Sequence, residues 1–255
     1  MKLIVIPTYN ERRNLEALLR LIYCQEQDFH ILIVDDNSPD GTGELVCQLM
    51  RNEYPERLFL LKRPAKMGLG TAYIAGFKWA LERNYQYIFE MDADFSHHPK
   101  YLAQFLAVAD QYDLVLGSRY IPGGGVSNWG VIRRVISYGG SLYSRLLLGL
   151  PFKDLTGGYK CFRREVLETI NLDDVRSNGY SFQIELTYRA FLQSFRIREI
   201  PILFEERATG QSKMSGKIFL EAVWMVFKLR MVKKRLQAVK SKKLQHIRTT
   251  ATLSD

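Results

Sequence analysis

The stretch from Tyr87 to Pro99 constrains this chain most. An apolar run from Tyr87 to Met91 stops abruptly at Asp92-Ala93-Asp94, and His97-His98-Pro99 then closes the loop and opens a helix. A short apolar run bounded by polar residues reads as a buried strand. Carboxylates one residue apart at the C-terminal end of a strand sit where open α/β sheets bind ligands. Together Asp92 and Asp94 suit a hard divalent cation, Mg2+ or Mn2+, that carries phosphate oxygens.

The flanking sequence alternates strand and helix signals. Leu3–Ile6, Ile31–Val34, Leu58–Leu61 and Leu114–Gly117 are apolar runs of strand length. Between them lie helical stripes: Leu15, Leu18, Leu19 and Ile22 behind Asn10 as N-cap, then Leu45, Val46 and Leu49, then Thr71–Arg83 and Lys100–Gln111. This order predicts an α/β protein, a mainly parallel Rossmann-like sheet with helices on both faces. Right-handed crossovers gather the strand ends on one edge. Pro7-Thr8-Tyr9-Asn10-Glu11, the Asp35–Gly41 stretch and the Asp92–His98 stretch meet there, which predicts a ligand site.

The second half changes character. Gly117-Ser118-Arg119-Tyr120 leads into a glycine-rich loop, Ile121–Gly130, expected to be mobile. Val131–Leu150 has apolar residues at helical spacing with Arg133, Arg134 and Arg145 interleaved, a pattern that suits a packed face or an interfacial helix. Asp154–Lys160, a short strand and helices near Arg164–Ile170 and Tyr180–Ser194 follow, the last carrying Gln183 and Glu185. Ile197–Phe204 reads as an edge strand around Pro201. Glu205–Gly216 is a polar loop holding Arg207 and Lys213.

Charge and cysteine usage narrow the function classes. The net charge of +9 is localised, because Lys228–Arg248 holds nine Lys and Arg and no acid. The remainder carries 27 basic and 27 acidic residues and is formally neutral. A neutral body without a binding motif argues against nucleic acid. A basic tail beside the apolar stretch Ile218–Val232 suits an anionic membrane surface. No apolar run reaches the ~20 residues of a spanning helix. The start of the chain, broken at Pro7, does not read as a signal peptide. Cys24, Cys47 and Cys161 are scattered and odd in number, which points to a reduced, cytoplasmic setting. Cys24 and Cys47 fall on apolar stripes and are expected in the core. The expected division is a catalytic domain over 1–216 and an amphipathic helix with a basic tail over 217–255.

A metal held by paired aspartates stabilises a departing diphosphate, the leaving group of a sugar nucleotide. Arg119, Arg207 and Lys213 could add positive charge or hold an anionic acceptor. Taken in order, PTYNE, VDDNSPDGT, KxGLGTAY, MDADFSHHP, GSRY, DLTGGYKCFRREVL and SKMSG resemble glycosyltransferase family 2. Within it they resemble the dolichol-phosphate (polyprenol-phosphate) mannose synthases most closely. The similarity spans about residues 3–220, and MDADFSHHP is its most specific part.

The resemblance implies a GT-A fold and transfer of mannose, with inversion, from GDP-mannose to a polyprenyl monophosphate. It implies that Pro7, Tyr9 and Glu11 line the guanosine pocket and that Val34 and Asp36 contact the nucleoside. Asp92, Ala93 and Asp94 would bind the diphosphate and metal, with Ser96 where some relatives carry a glutamine ligand. Arg207 and Lys213 would hold donor phosphates, and Arg119, Arg133 and Ser137 the acceptor phosphate. Asp94 and Arg119 are the residues expected to carry catalysis. A phosphate acceptor is already ionised near neutral pH and needs no general base, so His97 and His98 read as loop and helix-start residues. The expected location is the cytoplasmic face of a membrane, held peripherally, alone or through a separate membrane subunit. The competing readings are a UDP-glucose donor on the same fold, a family 2 enzyme that glycosylates a hydroxyl with Glu185 as base, and a non-catalytic membrane-binding relative.

Overall fold

The computed structural model describes residues 1–205 and 223–231. Its strands are β1 (Lys2–Thr8), β2 (Phe29–Asp35), β3 (Leu58–Lys62), β4 (Tyr87–Glu90), β5 (Leu114–Ser118), β6 (Gly125–Val126), β7 (Lys160–Arg163), β8 (Ile197–Pro201) and β9 (Leu203–Phe204). Its α-helices are α1 (Arg12–Tyr23), α2 (Thr42–Asn52), α3 (Leu69–Leu81), α4 (Leu102–Ala109), α5 (Val131–Leu148), α6 (Arg164–Thr169) and α7 (Tyr180–Leu192). Seven strands form one sheet in the order β3-β2-β1-β4-β7-β5-β8. All its pairings are parallel except those of β7, which runs antiparallel to β4 and β5. The expected mainly parallel α/β architecture is therefore present, and β8 lies at the edge.

Two cores cover the two faces. Along β1, Leu3 and Val5 point into one core while Ile4 and Ile6 point into the other, the two-residue alternation of an extended chain. The first core takes residues of α3, α6 and α7, and the second those of α1, α2 and α4. Burial on both faces explains why β1 and β2 read as continuous apolar runs. Close approach decides one position: a Cβ on Gly76 of α3 would collide with the Val5 side chain of β1.

Several sequence expectations need correction. The α1 helix begins at Arg12 with Glu11 as its cap, and Asn10 instead turns through a left-handed φ of 64°. Asn10 donates its backbone N–H to Ser38 Oγ at 3.0 Å, so the β1 and β2 end loops hold each other. Cys24 is exposed just beyond the last turn of α1, and Cys47 is half-buried; of the three cysteines only Cys161 is core. Within the glycine-rich loop, Gly125–Val126 pairs with Leu203–Phe204 as a second, two-stranded sheet. Residues 223–231 are helical and dock on the body, with Val226 and Leu229 buried in the first core. Arg207, Lys213 and the basic tail beyond 231 lie outside the described residues.

The face of α5 is the other departure. Val131, Ile132, Val135 and Leu146 are 64–78% exposed, whereas Ser141, Ser144 and Leu148 are buried. Trp224, Phe227 and Met231 are also exposed on the neighbouring helix, and Tyr143 Oη donates to Val223 O at 3.3 Å. Among the described residues no helix is long and apolar enough to cross a membrane.

Candidate active site at the strand ends

A cleft of about 350 Å³ opens over the C-terminal ends of β1, β2 and β4. Pro7, Thr8, Tyr9, Glu11 and Asp36 line one end. Asp92, Ala93 and Asp94 line its middle, and Thr156, Gly158, Tyr180 and Gln183 the other end, with Lys66 and Arg133 also in its wall. The strand order places these groups side by side, as parallel crossovers require.

The residues at the β1 and β2 ends are held rather than loose. Thr8 and Ser38 donate to Asp35 Oδ1 at 2.9 and 2.6 Å, which locks the β1 and β2 loops together. Asp36 is buried and accepts from Arg63 Nε at 2.5 Å and from the Met67 backbone at 3.0 Å. Its carboxylate thus anchors the loop that presents Lys66, whose ammonium lies 4.1 Å from the Tyr9 ring centroid. Val34 is fully buried in the first core beneath this end and is not in the cleft wall.

At the centre, each aspartate has its own support. Tyr73 of α3 donates to Asp92 Oδ1 at 3.0 Å, and burial followed by the Asp92 charge keeps that phenol well above its usual pKa. The Asp92 backbone N–H donates to His97 Nδ1 at 3.0 Å, so His97 presents an unprotonated Nδ1 and is buried against Tyr159 and Phe204. Asp94 Oδ1 accepts from the Ser96 hydroxyl at 2.5 Å and the Ser96 backbone at 3.1 Å. Phe95, between them, has a left-handed φ of 64°, a strained state for a bulky residue and one that collects at functional loops. His98 caps the short helical turn at Pro99–Tyr101 by accepting from Lys100.

Ser96, expected beside the aspartates as a metal ligand, is 1% exposed and outside the cleft wall, and its hydroxyl donates to Asp94. Among the described residues no group of three His, Cys, Asp or Glu could hold a metal. The pair still fits a hard cation. Asp92 and Asp94 offer only oxygen, both line the cleft, and Mg2+ completes its shell with substrate phosphates and water.

Beyond the aspartates, Arg119 is not where a surface phosphate hook would be. Its side chain is 3% exposed and is held by Asp154, Nε to Oδ2 at 2.6 Å and Nη2 to Oδ1 at 2.7 Å. Burial alone would raise Asp154, but the Arg119 charge and hydrogen bonds carry its carboxyl below the usual range. Arg119 Nη2 also donates to Thr156, which does line the cleft, at 2.8 Å. Of the three expected acceptor residues, Arg133 alone lines the cleft, 4.1 Å over the Trp129 ring. Ser137 accepts from Tyr120 at 2.7 Å. Glu185 pairs with Arg189 at 2.7 Å, also accepts the Ser177 hydroxyl, and is outside the cleft wall.

Beneath the floor lie two buried ionisable side chains that sequence reading missed. Glu90 of β4 and Lys160 of β7 are register partners and are 0% and 1% exposed. Burial pushes Glu90 up to about 8 against the opposing Lys160 charge, and pushes Lys160 down to about 8 against that of Glu90. Their pairing depends on β7 running antiparallel between β4 and β5, which no local pattern announces. Tyr73 and Lys66 were missed as well, although both sit in the KxGLGTAY stretch.

Known proteins resemble the chain in sequence and in fold. The chain is 49% identical over 225 residues to "Polyprenol monophosphomannose synthase" of Mycolicibacterium smegmatis, covering 88% of this chain and 84% of that protein. It is 47% identical over 221 residues to "Undecaprenyl-phosphate mannosyltransferase" of Micrococcus luteus, covering 87% and 90%. Glucosyl-3-phosphoglycerate synthase from Mycobacterium tuberculosis, solved with Mn2+, UDP and phosphoglyceric acid, superposes with a TM-score of 0.66. That match has 15% identity and covers 90% of this chain and 78% of the other, a likeness of fold. The same synthase solved with Mg2+ and UDP matches with a TM-score of 0.65 at 15% identity, over 90% and 79% of the two chains. Residues 3–170 match the description "Glycosyl transferase family 2", and the chain belongs to that family.

Proposed function

We propose that this chain transfers mannose from GDP-mannose to a polyprenyl monophosphate and gives the β-linked mannosyl phosphate lipid. The observation that carries the reading is the Asp92/Asp94 pair in the cleft wall, from which Glu185 is absent. The names of relatives at 47–49% identity support the acceptor and the sugar. In the transfer, an acceptor phosphate oxygen attacks the anomeric carbon as the bond from that carbon to the β-phosphate oxygen breaks, and GDP leaves with the electron pair. Inversion follows from attack on the face opposite the leaving group. An ionised phosphate has no proton to lose, so the absence of Glu185 from the cleft costs nothing.

Asp92 and Asp94 would hold Mg2+ or Mn2+, which supplies Lewis-acid stabilisation of the leaving diphosphate. Tyr9, Glu11 and Asp36 would position the nucleoside, Pro7 would shape that wall, and buried Val34 would support it. Arg133 is the acceptor-phosphate residue that lines the cleft, and Arg119 acts by fixing Asp154 and Thr156. Ser137 would contribute through Tyr120. Arg207 and Lys213 remain proposed donor-phosphate residues. Positioning and charge neutralisation supply the catalysis.

The exposed apolar face of α5, flanked by Arg134, suits a lipid-borne acceptor at a membrane surface. A cytoplasmic-face location, the basic tail as electrostatic anchor and a separate membrane subunit belong to the same reading. The test is stoichiometry: purified chain, Mg2+, polyprenyl phosphate and GDP-mannose should release one GDP for each mannose made organic-extractable. GDP-mannose left intact would contradict the reading.

A further inference from the structure

We propose that Gln183 contacts the transferred sugar, and that the buried Glu90–Lys160 pair is the support that positions it. This rests on the donor reading above and adds the residue that receives the sugar.

The order of the cleft carries the first step. A sugar nucleotide is linear: nucleoside, two phosphates, sugar. The cleft wall runs in the same order across β2, β1, β4 and β7, from Tyr9 and Asp36 through Asp92 and Asp94 to Gly158 and Gln183. With the diphosphate at the aspartates, the sugar arrives at the Gly158–Gln183 wall. Gly158 keeps that wall open, because a Cβ there would lie 3.2 Å from Gln183 Nε2 and 3.3 Å from His97 Cε1.

The chemistry of Gln183 carries the second step. Sugar hydroxyls are recognised by fixed groups that both donate and accept, and a side-chain amide does both. Gln183 is 3% exposed, yet its Oε1 has no hydrogen-bond partner among the described residues. Native proteins rarely leave a buried acceptor unpaired, and Gln183 belongs to the cleft wall on the side where the sugar arrives.

Lys160 explains how this turn of α7 is held. Lys160 Nζ donates to the Gln183 backbone oxygen at 2.7 Å, and Thr187 Oγ1 donates to the same oxygen at 3.0 Å. Glu90, the register partner of Lys160, is fully buried, and neither of its carboxyl oxygens has a hydrogen-bond partner among the described residues. Through Lys160, β7 holds the first turn of α7 beside β4, the strand that leads into Asp92.

The experiment compares Mg2+–GDP affinity, which lacks the sugar, with kcat/KM for mannose transfer in the full-length chain. Gln183→Leu should lower kcat/KM at least about tenfold, since an unpaired hydroxyl–amide contact discriminates strongly, while GDP affinity stays within about twofold. Lys160→Met and the isosteric Glu90→Gln should lower kcat/KM less. In the Gln183→Leu background neither should add its full effect, because residues acting through one group are non-additive. Should Lys160→Met not fold, Glu90→Gln carries the same comparison. Equal losses of GDP affinity and turnover, an unchanged Gln183→Leu variant, or simple multiplication of the effects would overturn the proposal. A wild-type chain that neither binds Mg2+–GDP nor transfers mannose would instead overturn the donor reading, and this inference with it.

Discussion

Asp154 grips Arg119 three times: it accepts from Nε at 2.6 Å, from Nη2 at 2.7 Å and from the Arg119 backbone N–H at 2.9 Å. Both side chains are almost wholly buried. Removing one partner strands the other charge away from water. Asp154→Ala should therefore cost about 3–5 kcal/mol of unfolding free energy, read from a denaturant midpoint. Arg119→Lys should fare little better, since an ammonium cannot reproduce the two-pronged contact. A midpoint unchanged in both variants would remove the clamp.

The same pair sets a pH dependence. The Asp154 carboxyl lies below its usual range in the folded chain. A depressed folded-state pKa contributes stability that is present above the unfolded value, near 3.9 for Asp. That contribution is lost as pH falls through the lower folded-state value. Melting curves below about pH 4 should converge for wild type and Asp154→Asn, and curves that stay parallel would contradict it.

Much of this was legible before any coordinates. The apolar runs of β1, β2 and β4 announced themselves because burial on both faces leaves no polar alternation to interrupt them. The strand-end carboxylates followed from the chain stopping so sharply at Asp92. What stayed hidden depends on long-range register. Asp154 reaches Arg119 across 35 residues, and Lys160 faces Glu90 only because β7 inserts antiparallel. Arg119 therefore read as a free cation, and Ser96 as a ligand, when each is tied to an aspartate. The α5 stripe was ambiguous because periodicity marks an apolar face and not what covers it.

Ser96→Ala removes the hydroxyl that holds Asp94 and leaves both aspartates in place. Groups that orient a metal ligand are worth about 10–100-fold in metal affinity or activity. The variant should need more Mg2+ for half-maximal turnover and recover partly at high Mg2+. A loss of activity insensitive to Mg2+ would break the link.

Gly76→Ala should destabilise the fold without touching the cleft. The added Cβ meets Val5 across the α3–β1 contact, and overpacking of this kind costs about 1–3 kcal/mol. Nucleotide affinity should hold while the melting temperature drops.

Ile132→Asp with Val135→Asp should weaken binding to vesicles containing anionic lipid, because both side chains are mostly exposed on α5. Mg2+–GDP affinity should be unchanged. Equal vesicle partitioning of variant and wild type would take α5 out of the membrane contact.

The most direct measurement follows radiolabel into the organic phase from GDP-mannose or UDP-glucose in parallel arms. Each arm contains a polyprenyl phosphate with Mg2+ or with EDTA, and Asp94→Ala serves as control. Label from GDP-mannose that needs Mg2+ and Asp94 is the predicted result. Label from UDP-glucose alone would keep the fold and replace the donor. Label that persists in EDTA or in Asp94→Ala would contradict the central claim that the Asp92/Asp94 pair carries the transfer.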